Sequence, residues 1–445
     1  MNEGGSFRRA VESIRNSVSF KLAVVGFLVI ILLIPTVMVQ SLIGERQDRK
    51  ANAVSEISQK WGAAQTITGP VLTVPYRQYY KRENGHRAFH IRYAHFLPKR
   101  LNVAGTLNPE IRYRGIYKAV LYQSTLRLDG QFERPDFRSL DIDETHVLWN
   151  RASVSLGISD MKGIRDAMTL QLGQHRFDMQ PGMETQDLIE SGVSARIPAG
   201  LARESNLPFA LKLDLNGSDH IHVVPVGKVT RVSLASPWKS PSFDGAFLPY
   251  QRHVGAKGFD AKWKVLNLNR NFPQAWVGPQ KHMDKSAFGT RLIITADVYQ
   301  QATRTAKYAV LFILLTFTTF FFSEIINRRR LHPIQYLLIG FALLIFYSLL
   351  IALSEHMQFG LAYFVSSAAV VGLITIYARW ALGSVRLAAL VGGILVILYG
   401  YLYTLLQLED YALLMGSIGL FAALACVMYV TRKIDWYGGE ADTGR

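Results

Sequence analysis

The stretch YAVLFILLTFTTFFFSEII (308–326) decides how this chain is read, together with IQYLLIGFALLIFYSLLIAL (334–353), which follows after a few basic residues. Each has about 20 apolar residues, enough at 1.5 Å per residue to cross a hydrocarbon layer of roughly 30 Å. Three more runs of this kind follow at 361–380, 385–406 and 411–430, joined by short polar loops. A soluble core accounts for one such run. It does not account for five in succession, because helices of soluble proteins keep a polar face. A sixth run, 20–39, stands alone near the start. The expected fold class is an integral membrane protein with six transmembrane α-helices arranged 1 + 5.

Composition agrees. Of 445 residues, 49% are hydrophobic and 18% are charged, against roughly 25% charged in an average soluble domain. The mean hydropathy is +0.14. The single cysteine, Cys426, excludes an intramolecular disulfide, a CxxC redox motif and any multi-cysteine metal site. It lies in an apolar run and reads as a packing residue. The first run reads as an uncleaved anchor. Its apolar part is too long for a signal peptide, and no A-x-A site follows it.

Lys and Arg in the short loops set the orientation. Arg8, Arg9, Arg15 and Lys21 lead the first span, and Arg328, Arg329 and Arg330 separate the second from the third. Arg379 and Arg386 flank the next cytoplasmic turn, and Arg432 with Lys433 follow the last span. The opposite loops carry Glu355 with His356, and Glu409 with Asp410, and no base. Six spans put every basic group on one side. Both termini are then cytoplasmic (1–19 and 431–445), and the long insertion is periplasmic.

The net charge of +16 resides mostly in that insertion. Residues 45–304 hold 36 Lys/Arg and 24 Asp/Glu. A basic surface outside the cytoplasm excludes nucleic acid as a partner. It suits anionic lipid, cell-wall polymer or an acidic protein of the periplasm or membrane. Ala51, Val54, Ile57 and Trp61 mark one helical face, so 40–62 reads as a helical stalk continuing the first span as far as Gly69-Pro70. The expected periplasmic β-rich domain spans 63–305, and short alternating runs dominate it after Gly69-Pro70. Residues 71–80 and 88–97 flank Asn84-Gly85, a hairpin signal, and 112–132 alternates as one run. Residues 185–190 hint at a short helix. The last five spans form a bundle over 306–430.

Several segments carry a family resemblance. They are Ala306-Lys307-Tyr308-Ala309, Phe321-Phe322-Ser323-Glu324, Arg330-Leu331-His332-Pro333-Ile334-Gln335-Tyr336, Ser354-Glu355-His356 and Thr431-Arg432-Lys433-Ile434-Asp435-Trp436-Tyr437. In the insertion, Thr68-Gly69-Pro70, Phe96-Leu97-Pro98, Arg114-Gly115-Ile116-Tyr117 and Phe247-Leu248-Pro249 join them. Together they resemble the CreD family of inner-membrane proteins of Gram-negative bacteria, over nearly the whole chain. The resemblance implies a role in cell-envelope integrity, within a regulon governed by a two-component sensor kinase. It implies no catalytic residues.

The residues themselves offer few chemical sites. No G-x-S-x-G, H-E-x-x-H, Walker A or G-x-G-x-x-G motif occurs, so no enzyme and no cofactor are expected. His220 and His222 share one strand face and read as surface histidines. They would hold a metal only if a carboxylate joined them, and Asp219 is expected on the other face. Glu324 and Arg328 form an i,i+4 pair ending the second span, read as an interface pair or as part of a proton or substrate relay. The Arg328, Arg329 and Arg330 cluster suits anionic headgroups, worth about 1 kcal/mol per base. His332-Pro333 reads as a helix start. Glu355 and His356 read as a polar cap that begins the fourth span, or as a docking or proton-sensing point. Asp435, Trp436 and Tyr437 read as an interface anchor. The leading expectation is a non-enzymatic envelope-integrity protein. The alternative is a transporter or lipid-handling protein that uses Glu324, Glu355 and His356.

Overall fold

The computed structural model describes residues 18–81, 86–187, 190–279, 283–294, 298–326, 331–408 and 411–432. The chain divides into a helical unit, residues 1–49 and 296–445, and a β-rich unit, residues 50–295. The boundary at Arg49 and Lys50 falls inside helix α1, Val18–Trp61.

α1 is a single 44-residue helix, so the first span and the stalk are one element. Within the helical unit its buried side chains are Leu28, Leu32, Thr36 and Ile43, a stripe at helical spacing. Leu32 presses on Gly340, where an added Cβ would collide with it. The second expected span does not start at 308. After the short helix α2 (Ala199–Ala202), helices α3 (Val298–Lys307) and α4 (Ala309–Ile326) form a pair bent by 44°. α3 escapes a hydropathy reading because it is amphipathic: Tyr299, Ala302, Thr305 and Ala306 are buried, while Gln300, Arg304 and Lys307 carry its polar side.

α5 (Pro333–Ser354), α6 (Phe359–Leu382) and α7 (Val385–Gln407) follow, then α8 (Ala412–Thr431). α1, α5, α6 and α7 are each long and apolar enough to cross a membrane, and the bent pair makes a fifth candidate. The described apolar stretch of α8, Leu414–Tyr429, falls short of that length. Against the six spans expected, four helices, or five with the bent pair, reach spanning length among the described residues, beside one shorter apolar helix. An aromatic node fixes the middle of the bundle. Tyr399 packs edge-on against Phe312 and Phe346 and accepts, through its carbonyl, the hydroxyl of Tyr363 at 2.7 Å.

The β-rich unit holds two sheets. A nine-stranded sheet runs β13 (Pro241–Gly245), β17 (Phe288–Leu292), β11 (His220–Val224), β1 (Gln65–Lys81), β5 (Ser153–Ile158), β9 (Gly192–Arg196), β8 (Gln180–Pro181), with β2 (Arg87–Phe96) paired to β1 and β16 (Ala275–Val277) to β2. An eight-stranded sheet runs β14 (Gln251–Gly255), β15 (Gly258–Leu266), β12 (Val229–Ser236), β3 (Arg100–Arg114), β4 (Tyr117–Glu133), β10 (Asn206–Ser218), β6 (Thr169–Leu172), β7 (His175–Asp178). The strands that matter below are β1 (Gln65–Lys81), β2 (Arg87–Phe96), β3 (Arg100–Arg114), β4 (Tyr117–Glu133), β10 (Asn206–Ser218), β11 (His220–Val224), β13 (Pro241–Gly245) and β17 (Phe288–Leu292). β10 alternates buried and exposed along its length. Leu211 and Leu213 from it and Val71 and Val74 from β1 enter one continuous apolar core.

Three expectations change here. The helix stops at Trp61 and β1 begins at Gln65, so Gly69-Pro70 does not end the stalk. It is a cis step inside β1, where the register shifts between Thr68 and Val71, and Gly69 sits at φ +129°, open to glycine alone. The alternating run 112–132 is two strands, because Gly115 at φ +57° turns the chain between β3 and β4. Thr185, Gln186 and Asp187 lie in a turn, with no helix among the described residues there. The β1–β2 hairpin pairs from Leu72 with Phe96 out to Lys81 with Arg87. Asn84-Gly85 itself lies outside the described residues.

Candidate functional site

Among the described residues of the helical unit, Glu324 is buried and Glu355 largely so, and each is met by a base from α1. Glu324 sits in the last turn of α4 with its side chain 4% exposed. Lys21 Nζ donates to its Oε1 at 2.7 Å, and the Tyr336 hydroxyl donates to its Oε2 at 3.0 Å. Tyr336 is placed by the start of α5. There Pro333 takes the first helical position, and His332 caps the helix in a reciprocal box with Gln335. The expected helix start at His332-Pro333 is thus what positions a ligand of Glu324.

Glu355 lies beyond Ser354 as the C-cap of α5, not at the start of α6, which Gln358 precedes. Its side chain is 9% exposed. Tyr299 from α3 donates its hydroxyl to Oε1 at 2.9 Å, and Arg46 of α1 approaches the same oxygen at 3.6 Å. His356 is exposed, and its side chain has no partner among the described residues. The expected Glu355–His356 pairing is replaced by Glu355 with Tyr299 and Arg46.

Lys21 and Arg46 are 25 residues apart on one helix, about 38 Å along its axis. A bilayer is roughly 30 Å across its hydrocarbon core and 40–45 Å with headgroups. The two acid–base pairs are therefore separated along α1 by a length comparable to one membrane thickness, and both fasten α1 to the later helices. Such buried carboxylates persist only when paired and hydrogen-bonded. Sequence reading placed Lys21 among the topology charges and Arg46 in the stalk. The overlooked signal is one base at each end of the first apolar run and one acid at the end of a later span. Arg328, Arg329 and Arg330, and Asp435, Trp436 and Tyr437, lie outside the described residues.

The β-rich unit holds a second polar cluster. His220 donates from Nδ1 to Asp219 at 2.7 Å, and His222 from Nε2 to Asp244 at 2.7 Å. Arg291 of β17 bonds Asp244 at 3.0 Å and Asp219 at 3.2 Å. Asp219 was expected on the opposite face. Its backbone adopts φ +60°, which leaves the strand geometry and turns the carboxylate to its neighbour. The bond from His220 and the Arg291 charge hold the Asp219 carboxyl below its usual range despite burial. Burial pushes the His222 imidazole down, against the pull of Asp244. With both carboxylates bonded to histidine and arginine, the cluster is internally satisfied. Among the described residues, no group of three or more His, Cys, Asp or Glu side chains is arranged to hold a metal.

Elsewhere in the β-rich unit, the His95 side chain is fully buried. It shares a 3.0 Å hydrogen bond with Thr73 and reaches Asp187 at 3.4 Å. Its neighbour His90 instead stacks on Tyr80 with ring centroids 4.3 Å apart.

The amino-acid sequence matches known proteins. The family described as "Inner membrane protein CreD" matches residues 17–437. Inner membrane protein CreD of Escherichia coli (strain K12) is 33% identical over 416 residues, covering 92% of this chain and 91% of that protein. The matched span contains α1, the β-rich unit and all the later helices, and with them every residue of both acid–base pairs. On this evidence the chain belongs to the CreD family of inner membrane proteins.

Proposed function

We propose that the protein maintains cell-envelope integrity without catalysis, as a fastened membrane base that presents its β-rich unit to the periplasm. In this reading α8 completes six spans and both termini are cytoplasmic. The β-rich unit binds an anionic component of the envelope, lipid or wall polymer, or a protein partner, and expression belongs to a two-component regulon. The observation that carries the reading is the double fastening of α1. Glu324 and Glu355 each pair with a base of the helix that leads into the β-rich unit. A relay needs an acid free to exchange its proton or partner, and a paired acid is poorly suited to that task. This weighs against the transporter reading based on Glu324, Glu355 and His356.

The β-rich unit supports the binding half of the proposal. The far part of its β1–β2 hairpin is exposed on both strands. It displays Tyr79, Tyr80, Phe89 and Ile91 beside Arg77, Arg87 and Arg92. Aromatic and basic groups together suit an anionic, partly apolar surface.

A two-part experiment tests this. A reporter active only in the periplasm is expected to work near Asn216 and to be silent after Tyr437. Full-length protein in zwitterionic nanodiscs is expected to capture anionic vesicles at low salt and release them as salt screens the charges over about 8 Å. An active reporter after Tyr437 would overturn the topology. Equal capture of neutral vesicles would overturn the charge-led binding.

A further inference from the structure

A slot of about 940 Å³ opens between α4, α7 and α8. Leu311, Leu315 and Phe322 of α4 face Leu398 and Leu405 of α7 across it, and Ala423 of α8 closes a third side. The hydroxyls of Thr319 and Ser323 turn back onto carbonyls of their own helix, so these walls offer hydrocarbon rather than hydrogen bonds. α8 stands off from its neighbours, and none of its described residues is buried. Its link to α7 includes the Tyr401 hydroxyl, which donates to the Met415 carbonyl, and Gly419 leaves room for the Tyr401 ring.

Size and charge narrow the occupant. From Lys307 to Ser323 the slot follows 16 residues, about 24 Å of helix, comparable to an extended long acyl chain. At one rim stands Lys307, exposed at the α3–α4 bend and without a charged partner among the described residues. An apolar slot of hydrocarbon length with one free ammonium at its mouth suits an amphiphile with an anionic head. We propose that this slot retains one anionic phospholipid, its chains lying between α4, α7 and α8 and its phosphate meeting the Lys307 ammonium. The site is separate from the acid–base pairs and does not depend on the function proposed above.

The chain carries its own reporter. Cys426, the sole cysteine, is exposed and lines the slot, rather than packing in a core as its apolar run suggested. Gly416 also lines the slot, and a Cβ built there meets nothing within 4 Å, so a larger side chain can occupy the slot without strain.

Native mass spectrometry of the full-length protein in mild detergent, with phosphatidylglycerol or phosphatidylethanolamine added back, tests the site. One phosphatidylglycerol per chain is expected to survive extraction. Maleimide modification of Cys426 should be at least five-fold slower with it bound than after delipidation. Lys307→Gln should reduce the preference for phosphatidylglycerol at least five-fold, and Gly416→Phe should abolish retention while the protein stays monodisperse. Should Gly416→Phe not fold, the Lys307→Gln preference and the Cys426 protection decide the matter. Failure to retain stoichiometric lipid, equal retention of both lipids by the native chain, or Cys426 reactivity indifferent to lipid would overturn the proposal.

Discussion

Lys21 and Glu324, 303 residues apart in sequence, meet at 2.7 Å and join the first membrane helix to the end of α4. The carboxylate is buried and keeps a second donor in Tyr336. Removing the base alone leaves a buried charge with one neutral donor, a costlier state than removing both groups. Lys21→Met should lower stability by about 2 kcal/mol, Lys21 being partly exposed. The double variant Lys21→Met/Glu324→Leu should lose much less than the sum of the two single changes. Thermal unfolding in detergent, run as a double-mutant cycle, checks this. Additive losses would mean the two side chains act independently.

At the opposite edge, the Tyr299 hydroxyl holds Glu355 at 2.9 Å. Tyr299→Phe keeps the ring and removes the donor, and should cost about 1 kcal/mol. His356→Asn should be silent within about 0.5 kcal/mol, because that side chain is exposed. Melting temperatures of the two variants separate these outcomes. A large loss at His356 would mean the turn has a role its present neighbours do not account for.

Gly340 gives α1 its seat on α5, since any Cβ there runs into Leu32. Gly340→Ala should destabilise the helical unit by about 1–3 kcal/mol through overpacking. Adding Leu32→Ala should recover part of that loss. Measuring insertion level and melting temperature together distinguishes a packing defect from a failure to insert.

His95 makes the β-rich unit sensitive to acid. Burial pushes its imidazole down to about 4, outweighing the upward pull of Asp187. In the unfolded chain a histidine titrates near 6.5. The unfolded state therefore binds the proton first, so stability is complete above about pH 6.5 and falls as pH drops toward 4. The loss amounts to roughly 3 kcal/mol at most. The unfolding transition of the β-rich unit, followed by tryptophan fluorescence, should shift downward across that window. His95→Gln should flatten the shift.

The apolar runs announced the membrane helices because hydrocarbon imposes one simple composition on everything it contacts. The same uniformity hid α3, whose buried Tyr299, Ala302 and Thr305 alternate with polar residues. Period-two alternation exposed the β1–β2 hairpin, yet it ran β3 and β4 together, since alternation continues across the Gly115 turn. Glu324 and Glu355 were visible as acids at the ends of spans. Their partners were not, because Lys21 and Arg46 come from the other end of the chain, and local spacing favoured Arg328 and His356 instead. Asp219 was misplaced for a related reason: strand geometry was assumed at a residue with φ +60°.

The central claim is that the two acids fasten α1 and conduct nothing. The most direct measurement is complementation of an envelope-permeability defect in a deletion strain by a chain carrying Lys21→Met and Glu324→Leu, with Glu355→Gln and Arg46→Gln at the other edge. Insertion levels are read by blotting. Inserted at normal level, that chain is expected to restore the barrier, because neutral packing replaces charged fastening. A chain that inserts normally and leaves the envelope leaky would contradict the claim, and would show that the carboxylates themselves do the work.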